Sequence, residues 1–188
     1  MGDELKFKAD VVIAGGGMVG LTLGIALADA GIETVVVDAA DPEHVFQAGF
    51  DGRVSSFAPA SRRLLSAIGV WDHLEDEAEP VLDIVVGDGS VREGASPALL
   101  HFDHREIGSE PLAHMIENRH FRIALEKRAR SVRGLRVIAP AKVLGADAQP
   151  TQTVLSASTG HRISAQLCVA ADGRDSPLRQ AAGIKTVG

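Results

Sequence analysis

Gly15, Gly17 and Gly20, in the run GGGMVG at residues 15 to 20, have the Gly-x-Gly-x-x-Gly spacing that lets a backbone approach a diphosphate. In such a turn Gly15 allows the tight bend, Gly17 leaves the phosphate path clear, and Gly20 lets a helix lie close to a strand. Met18 and Val19 complete the turn and belong to the same predicted contact surface. Asp38 follows Gly20 by 18 residues, near the roughly 20-residue spacing of an acid that accepts hydrogen bonds from a ribose and disfavours a 2′-phosphate. A second cluster, DGRDSPLR at residues 172 to 179, supplies Asp172 and Gly173. Gly173 permits a close backbone approach there. The bland alternatives are a plain glycine turn and a structural strand-to-helix turn, because Asp-Gly and Ser-Pro are common turn dipeptides.

Positioning these residues requires a strand before the glycines and a helix after them. DVVIA, residues 10 to 14, is apolar and of strand length, and residues 18 to 30 carry apolar residues at helical spacing. A strand over 33 to 38, a loop to about residue 59 and helices over 60–69 and 71–77 follow. Strands are expected at 82–86 and 98–103, separated by the turn-rich GDGSVREGASP, as a β-hairpin insertion near 80–105. A helix over 118–131 and a strand at 135–138 precede strands at 142–147, 152–158 and 161–169, read as an antiparallel meander running into Asp172. The fold class is therefore α/β: a Rossmann-like dinucleotide-binding domain with a βαβ start, a parallel sheet and a small antiparallel insertion, contiguous over residues 1–188.

Composition narrows the function. A net charge of −6 and a pI near 5.6 give no basic excess to neutralise phosphates, which argues against a nucleic-acid partner. The single cysteine, Cys168, admits no internal disulfide and no thiolate cluster, in keeping with a reducing compartment. His101, His104, His114 and His120 match no ligand spacing, so no metal is expected. Val11 to Ala28 is an uncharged stretch long enough on hydropathy to pass for a membrane span, but three consecutive glycines oppose a continuous helix. No nucleophile, triad or carboxylate pair is evident, and no catalytic residue is assigned.

With both glycine-bearing motifs in view, the chain resembles the N-terminal part of the flavoprotein aromatic hydroxylases, specifically the UbiH-like branch of ubiquinone biosynthesis. FDGRVSSFAPASRRLLSAIGVW, residues 50 to 71, is similar to the family's Asp-x-Arg stretch, with Ile68 where many members have Leu. MIENRHFRIAL, residues 115 to 125, resembles a helix start typical of the Ubi hydroxylases, and DGRDSPLR matches the fingerprint Asp-Gly-x-x-Ser-x-x-Arg.

The resemblance implies FAD as cofactor, with Arg53 and Asn118 at the flavin-side phosphate or ribityl chain and Asp172 near the pyrophosphate. Arg53 as a solvated loop residue, and the run Arg119, Arg122, Lys127, Arg128, Arg130, Arg133 as a wet basic helix face, are the alternatives; contact with anionic lipid or a partner subunit also stays open. It further implies transfer of one oxygen atom from O2 to a polyprenyl phenol, with NAD(P)H admitted but not fixed as electron donor. Localisation is expected to be cytoplasmic, with peripheral contact at the inner membrane or with a ubiquinone-biosynthesis complex. The family's third fingerprint, a Gly-Asp motif, would lie beyond residue 188, so the fold is expected to be incomplete at its C-terminus and the isolated chain inactive. A related hydroxylase acting on another aromatic or isoprenoid substrate, or a non-catalytic nucleotide-binding fragment, stays open as an alternative.

Overall fold

The computed structural model describes residues 5–47, 49–90, 92 and 94–186. The chain opens with β1 (Leu5–Lys8), β2 (Val11–Ala14), α1 (Met18–Asp29) and β3 (Thr34–Val37). Next come α2 (Pro42–Phe46), β4 (Val54–Phe57), α3 (Pro59–Ala67), β5 (Glu79–Val81), β6 (Asp83–Ser90), β7 (Gly94–Asp103) and β8 (Ala113–Glu117). α4 (Asn118–Ala129), β9 (Leu135–Ile138), β10 (Val143–Ala148), β11 (Thr153–Ala157), β12 (His161–Ala165), β13 (Leu167–Ala170) and α5 (Pro177–Ala181) follow. They group into two compact units, one of residues up to Gly49 with Phe121 onward, the other Phe50–His120.

The first unit is built on a parallel sheet of order β13-β2-β3-β9 and a second sheet of order β1-β12-β11-β10. Val12, Ala14, Val35 and Val37 pack in one buried cluster with Leu155, Ala157, Ile163 and Ala165 of the second sheet. The alternate residues meet α1, where a Cβ on Gly24 would lie 2.9 Å from Val36 Cγ2 and 3.7 Å from Ile13 Cδ1. With both faces covered, the parallel strands need apolar residues at every position, which is why VVIA and TVVV show no alternation. The second unit holds an antiparallel sheet of order β4-β8-β5, the β6-β7 hairpin, and a core around Phe57, Leu65, Trp71, Leu74 and Ile116.

Several expectations need correction. The segment read as a loop to residue 59 contains α2, started by Asp41 accepting from Glu43 N at 3.0 Å with Pro42 in the first turn, and β4, whose antiparallel partner β8 is remote in sequence. The helix expected over 71–77 is two 3-10 turns, Trp71–His73 and Glu75–Glu77. β5, β8 and β1 were absent from the expected elements, and residues 115–117 belong to β8 rather than to the following helix. The hairpin strands run through most of GDGSVREGASP, with a register shift between Gly87 and Gly89; Val91 and Glu93 lie outside the described residues. The strand expected over 161–169 is two strands in two sheets. Gln166 N and Leu167 N both donate to Asp10 O, at 3.0 and 3.2 Å, where the chain leaves β11 and joins β2. Among the described residues no helix is long and apolar enough to cross a membrane, since the glycine turn divides 11–28 into a strand and a helix.

Candidate dinucleotide site

The turn between β2 and α1 shows why its glycines are glycines. Gly15 has φ +100° and donates its N–H to Val37 O at 2.8 Å, and a Cβ on it would lie 2.2 Å from Ala171 O. A Cβ on Gly20 would lie 1.8 Å from Gly15 O, so α1 can press against the turn only through glycine. Gly17, at the N-cap of α1, has nothing within 4 Å of the Cβ position. No side chain caps α1 and its first turn holds no acidic residue, leaving first-turn N–H groups and the positive helix end to an anion. The side chain of Met18 lines the adjoining cavity, whereas Val19 is 74% exposed.

Asp38 sits just past β3, where its carboxylate accepts from Gly16 N through Oδ2 and from Ala40 N through Oδ1 at 2.6 Å. Each oxygen keeps a lone pair for a ribose hydroxyl. Asp38 lines two cavities. The first, about 210 Å³, also has Gly16, Gly17, Met18, Arg122 and Glu126 in its wall. The second, about 350 Å³, has Gly15, Ala39, Lys142, Val143 and Asp172. Asp172 accepts from Leu178 N at 3.3 Å through Oδ2, whereas its Oδ1 is buried without a hydrogen-bond partner. An unpaired buried acceptor on a residue of that cavity's lining suits a hydroxyl donor. Gly173, φ +95°, carries the chain past it, and Ser176 caps α5 by accepting from Arg179 N at 3.0 Å. Arg179 donates to Arg174 O at 2.6 Å rather than pairing with Asp172.

In the second unit, the β4-β8 pairing brings Arg53 and Asn118 together: Asn118 N donates to Arg53 O at 3.0 Å, and Ser55 Oγ donates to Asn118 Oδ1 at 2.6 Å. The Arg53 side chain is largely exposed and donates through Nε to Asp51 Oδ2 at 2.8 Å, which holds the Asp51 carboxyl below the ordinary carboxylate range. The basic run along α4 is not one solvated face. Arg119 pairs with Glu117, Arg128 with Asp29 at 2.6 Å, Arg130 with Glu43 at 3.0 Å and over the Phe46 ring, while Arg122 turns to the first cavity.

Thus the first unit gathers Gly15, Gly17, Met18, Gly20, Asp38 and Asp172 around the end of β2, and the second holds Arg53 beside Asn118. The sequence reading passed over Gly16, whose Cβ would lie 2.9 Å from Asp38 Cβ, although the unbroken GGG was a signal. It also passed over Glu126, an acid hidden among basic neighbours. An uncapped helix start, a spare acceptor on Asp38 and the orphan Oδ1 of Asp172 suit the diphosphate and ribose of a dinucleotide.

A dinucleotide-binding α/β domain is the class these features define. The chain belongs to the FAD binding domain family, whose model matches residues 8–188, and FAD is its cofactor. Over 94% of its length it is 43% identical to the ubiquinone hydroxylase UbiL of Rhodospirillum rubrum, of which it covers 40%. It is 29% identical over 93% of its length to the 3-demethoxyubiquinol 3-hydroxylase of Escherichia coli, covering 44% of that protein. The chain therefore spans less than half the length of these curated relatives. In fold it is similar to p-nitrophenol 4-monooxygenase PnpA from Pseudomonas putida, with a TM-score of 0.76 at 20% identity, over 95% of this chain and 44% of that one.

Proposed function

We propose that this chain is the FAD-binding part of a flavin-dependent monooxygenase that hydroxylates a polyprenyl phenol in ubiquinone biosynthesis. The observation that supports the reading is the pairing of two cavities that share Asp38, one lined by Gly17 and the other by Asp172, with 43% identity to a ubiquinone hydroxylase. Bound FAD supplies the redox chemistry and oxygen activation. The chain's own residues bind and orient: first-turn N–H groups of α1 take the diphosphate, Asp38 the adenosine ribose, and Asp172 a hydroxyl at its orphan oxygen. Arg53 exchanges Asp51 for a phosphate, and Asn118 bridges ribityl hydroxyls as donor and acceptor. O2 is the co-substrate in this reading and NAD(P)H is admitted, not fixed, as the electron donor, with peripheral contact at the inner membrane, where a prenylated phenol resides.

The test is flavin retention and product analysis of the protein as expressed from its complete reading frame. FAD should co-purify, and a prenylated phenol should gain one hydroxyl in an O2-dependent reaction supplied with a reductant. Hydroxylation of a soluble phenol but not of a prenylated one would overturn the substrate class, and FAD retention without any hydroxylation would leave a nucleotide-binding protein.

A further inference from the structure

Glu126 is 7% exposed, in the third turn of α4, and lines the same cavity as Gly16, Gly17 and Asp38. Among the described residues its carboxyl makes no hydrogen bond or ion pair, although acids this deep are ordinarily paired. The charged groups facing it are Arg130 and Arg122 on its own helix, Asp38 beyond β3 and Glu43 in α2. Burial outweighs the two arginines and holds Glu126 above the ordinary carboxylate range. The cavity wall therefore carries two acids beside the helix start that receives the diphosphate. A dinucleotide brings two further negative charges to that wall. Like charges brought together in a poorly solvated place favour the neutral form of whichever group yields most easily.

We propose that Glu126 is a second acid of the dinucleotide cleft, taking up a proton from solvent as the diphosphate binds, so that cofactor affinity falls as the pH rises. Neutral Glu126 then offers one O–H donor to the cavity where a carboxylate offers none. Asp38, held by two backbone N–H groups, stays the acceptor for ribose, so the two acids divide the work. The inference rests on the FAD reading of the cleft.

Calorimetric titration of the full chain with ADP-ribose, whose diphosphate has no group titrating near neutrality, tests it. Measurements at about pH 6 and about pH 8, in buffers of different ionisation enthalpy, read both affinity and protons taken up. The wild type should bind about threefold to tenfold more weakly at the higher pH, tenfold corresponding to one unit of pKa change, with net proton uptake between. Glu126→Gln should bind at the same affinity at both pH values, near that of the wild type at low pH, without proton uptake. An equal pH slope and proton count in both proteins would overturn the inference while leaving the cleft assignment standing. Failure of the wild type to bind ADP-ribose would overturn the cleft assignment, and this inference with it. Should Glu126→Gln not fold, carbon-13 NMR of the wild-type glutamate carboxyls reads the same proton: a titration midpoint that rises on adding ADP-ribose supports the proposal, and one that stays fixed refutes it.

Discussion

Replacing Asp38 by alanine separates what its carboxylate does for the fold from what it does for the cofactor. In the free protein it binds Gly16 N and Ala40 N, so it ties the glycine turn to the end of β3. Hydrogen bonds to a charged group contribute about 1.5–3 kcal/mol each, but Asp38 is half-buried and water replaces part of the loss. A net destabilisation of about 2–3 kcal/mol follows. At about 2–4 °C per kcal/mol for a domain of this size, the melting temperature of Asp38→Ala should fall by about 4–12 °C without any ligand. Losing the ribose hydroxyls should cost a further 1–3 kcal/mol of binding, which raises the Kd for FAD about 5-fold to 150-fold. Asp38→Asn keeps one carbonyl acceptor and should fall between the two in both measurements. Differential scanning calorimetry of the ligand-free protein reads the first effect and isothermal titration with FAD the second. An unchanged melting temperature would refute the tie between turn and strand, and an unchanged Kd would remove Asp38 from the cofactor site.

Gly17→Ala and Gly20→Ala should behave oppositely: the open Cβ position at Gly17 predicts a melting temperature within a few degrees of wild type and weakened FAD binding. The backbone contact at Gly20 predicts a loss of about 2–3 kcal/mol or more, read by urea unfolding. Arg53→Ala removes only an exposed pair with Asp51, so stability should hold while FAD retention on a desalting column drops; unaltered retention would return Arg53 to the solvated loop. Burial, and then Arg62, push the His114 imidazole below its ordinary range. The unfolded chain therefore binds a proton that the folded chain resists, and stability should be lost as the pH falls from about 6.5 through the folded value. His114→Gln should flatten that stretch of the melting-temperature profile, and proton NMR of the ring should show the depressed midpoint.

The parts of the fold that the chain announces locally are those whose partners lie close or whose burial is symmetric. VVIA and TVVV read as core strands because both of their faces are covered, and α1 reads as a helix because a glycine turn sets its start. β4, β5 and β8 are short, partly exposed and paired with residues up to 63 positions away, so neither periodicity nor turn chemistry marks them. The division of residues 161–170 between two sheets is subtler. HRISA and LCVA are both acceptable strands, and what parts them is the carbonyl of Asp10, which captures two successive N–H groups across 156 residues of sequence. No local signal could announce an acceptor that distant.

The candidate site divides along the same physical line. A glycine requirement is a backbone constraint, and the spacing of Gly15, Gly17 and Gly20 carries it openly, because each position fails sterically with any other residue or serves by being empty. The carboxylates are different. Asp38 was legible by its distance from Gly20, yet its attachment to Gly16 and Ala40 depends on how the turn and β3 meet, so a residue predicted to act on the ligand also holds the frame. Glu126 was illegible, since among Arg122, Lys127, Arg128 and Arg130 an acid looks like one more surface charge. Only the packing of α4 puts that acid nine-tenths out of solvent and into the wall of the cavity that Gly16, Gly17 and Asp38 also line. Its meaning comes from the mismatch between a charged side chain and a poorly solvated, already acidic place, and that mismatch makes proton uptake the expected companion of cofactor binding.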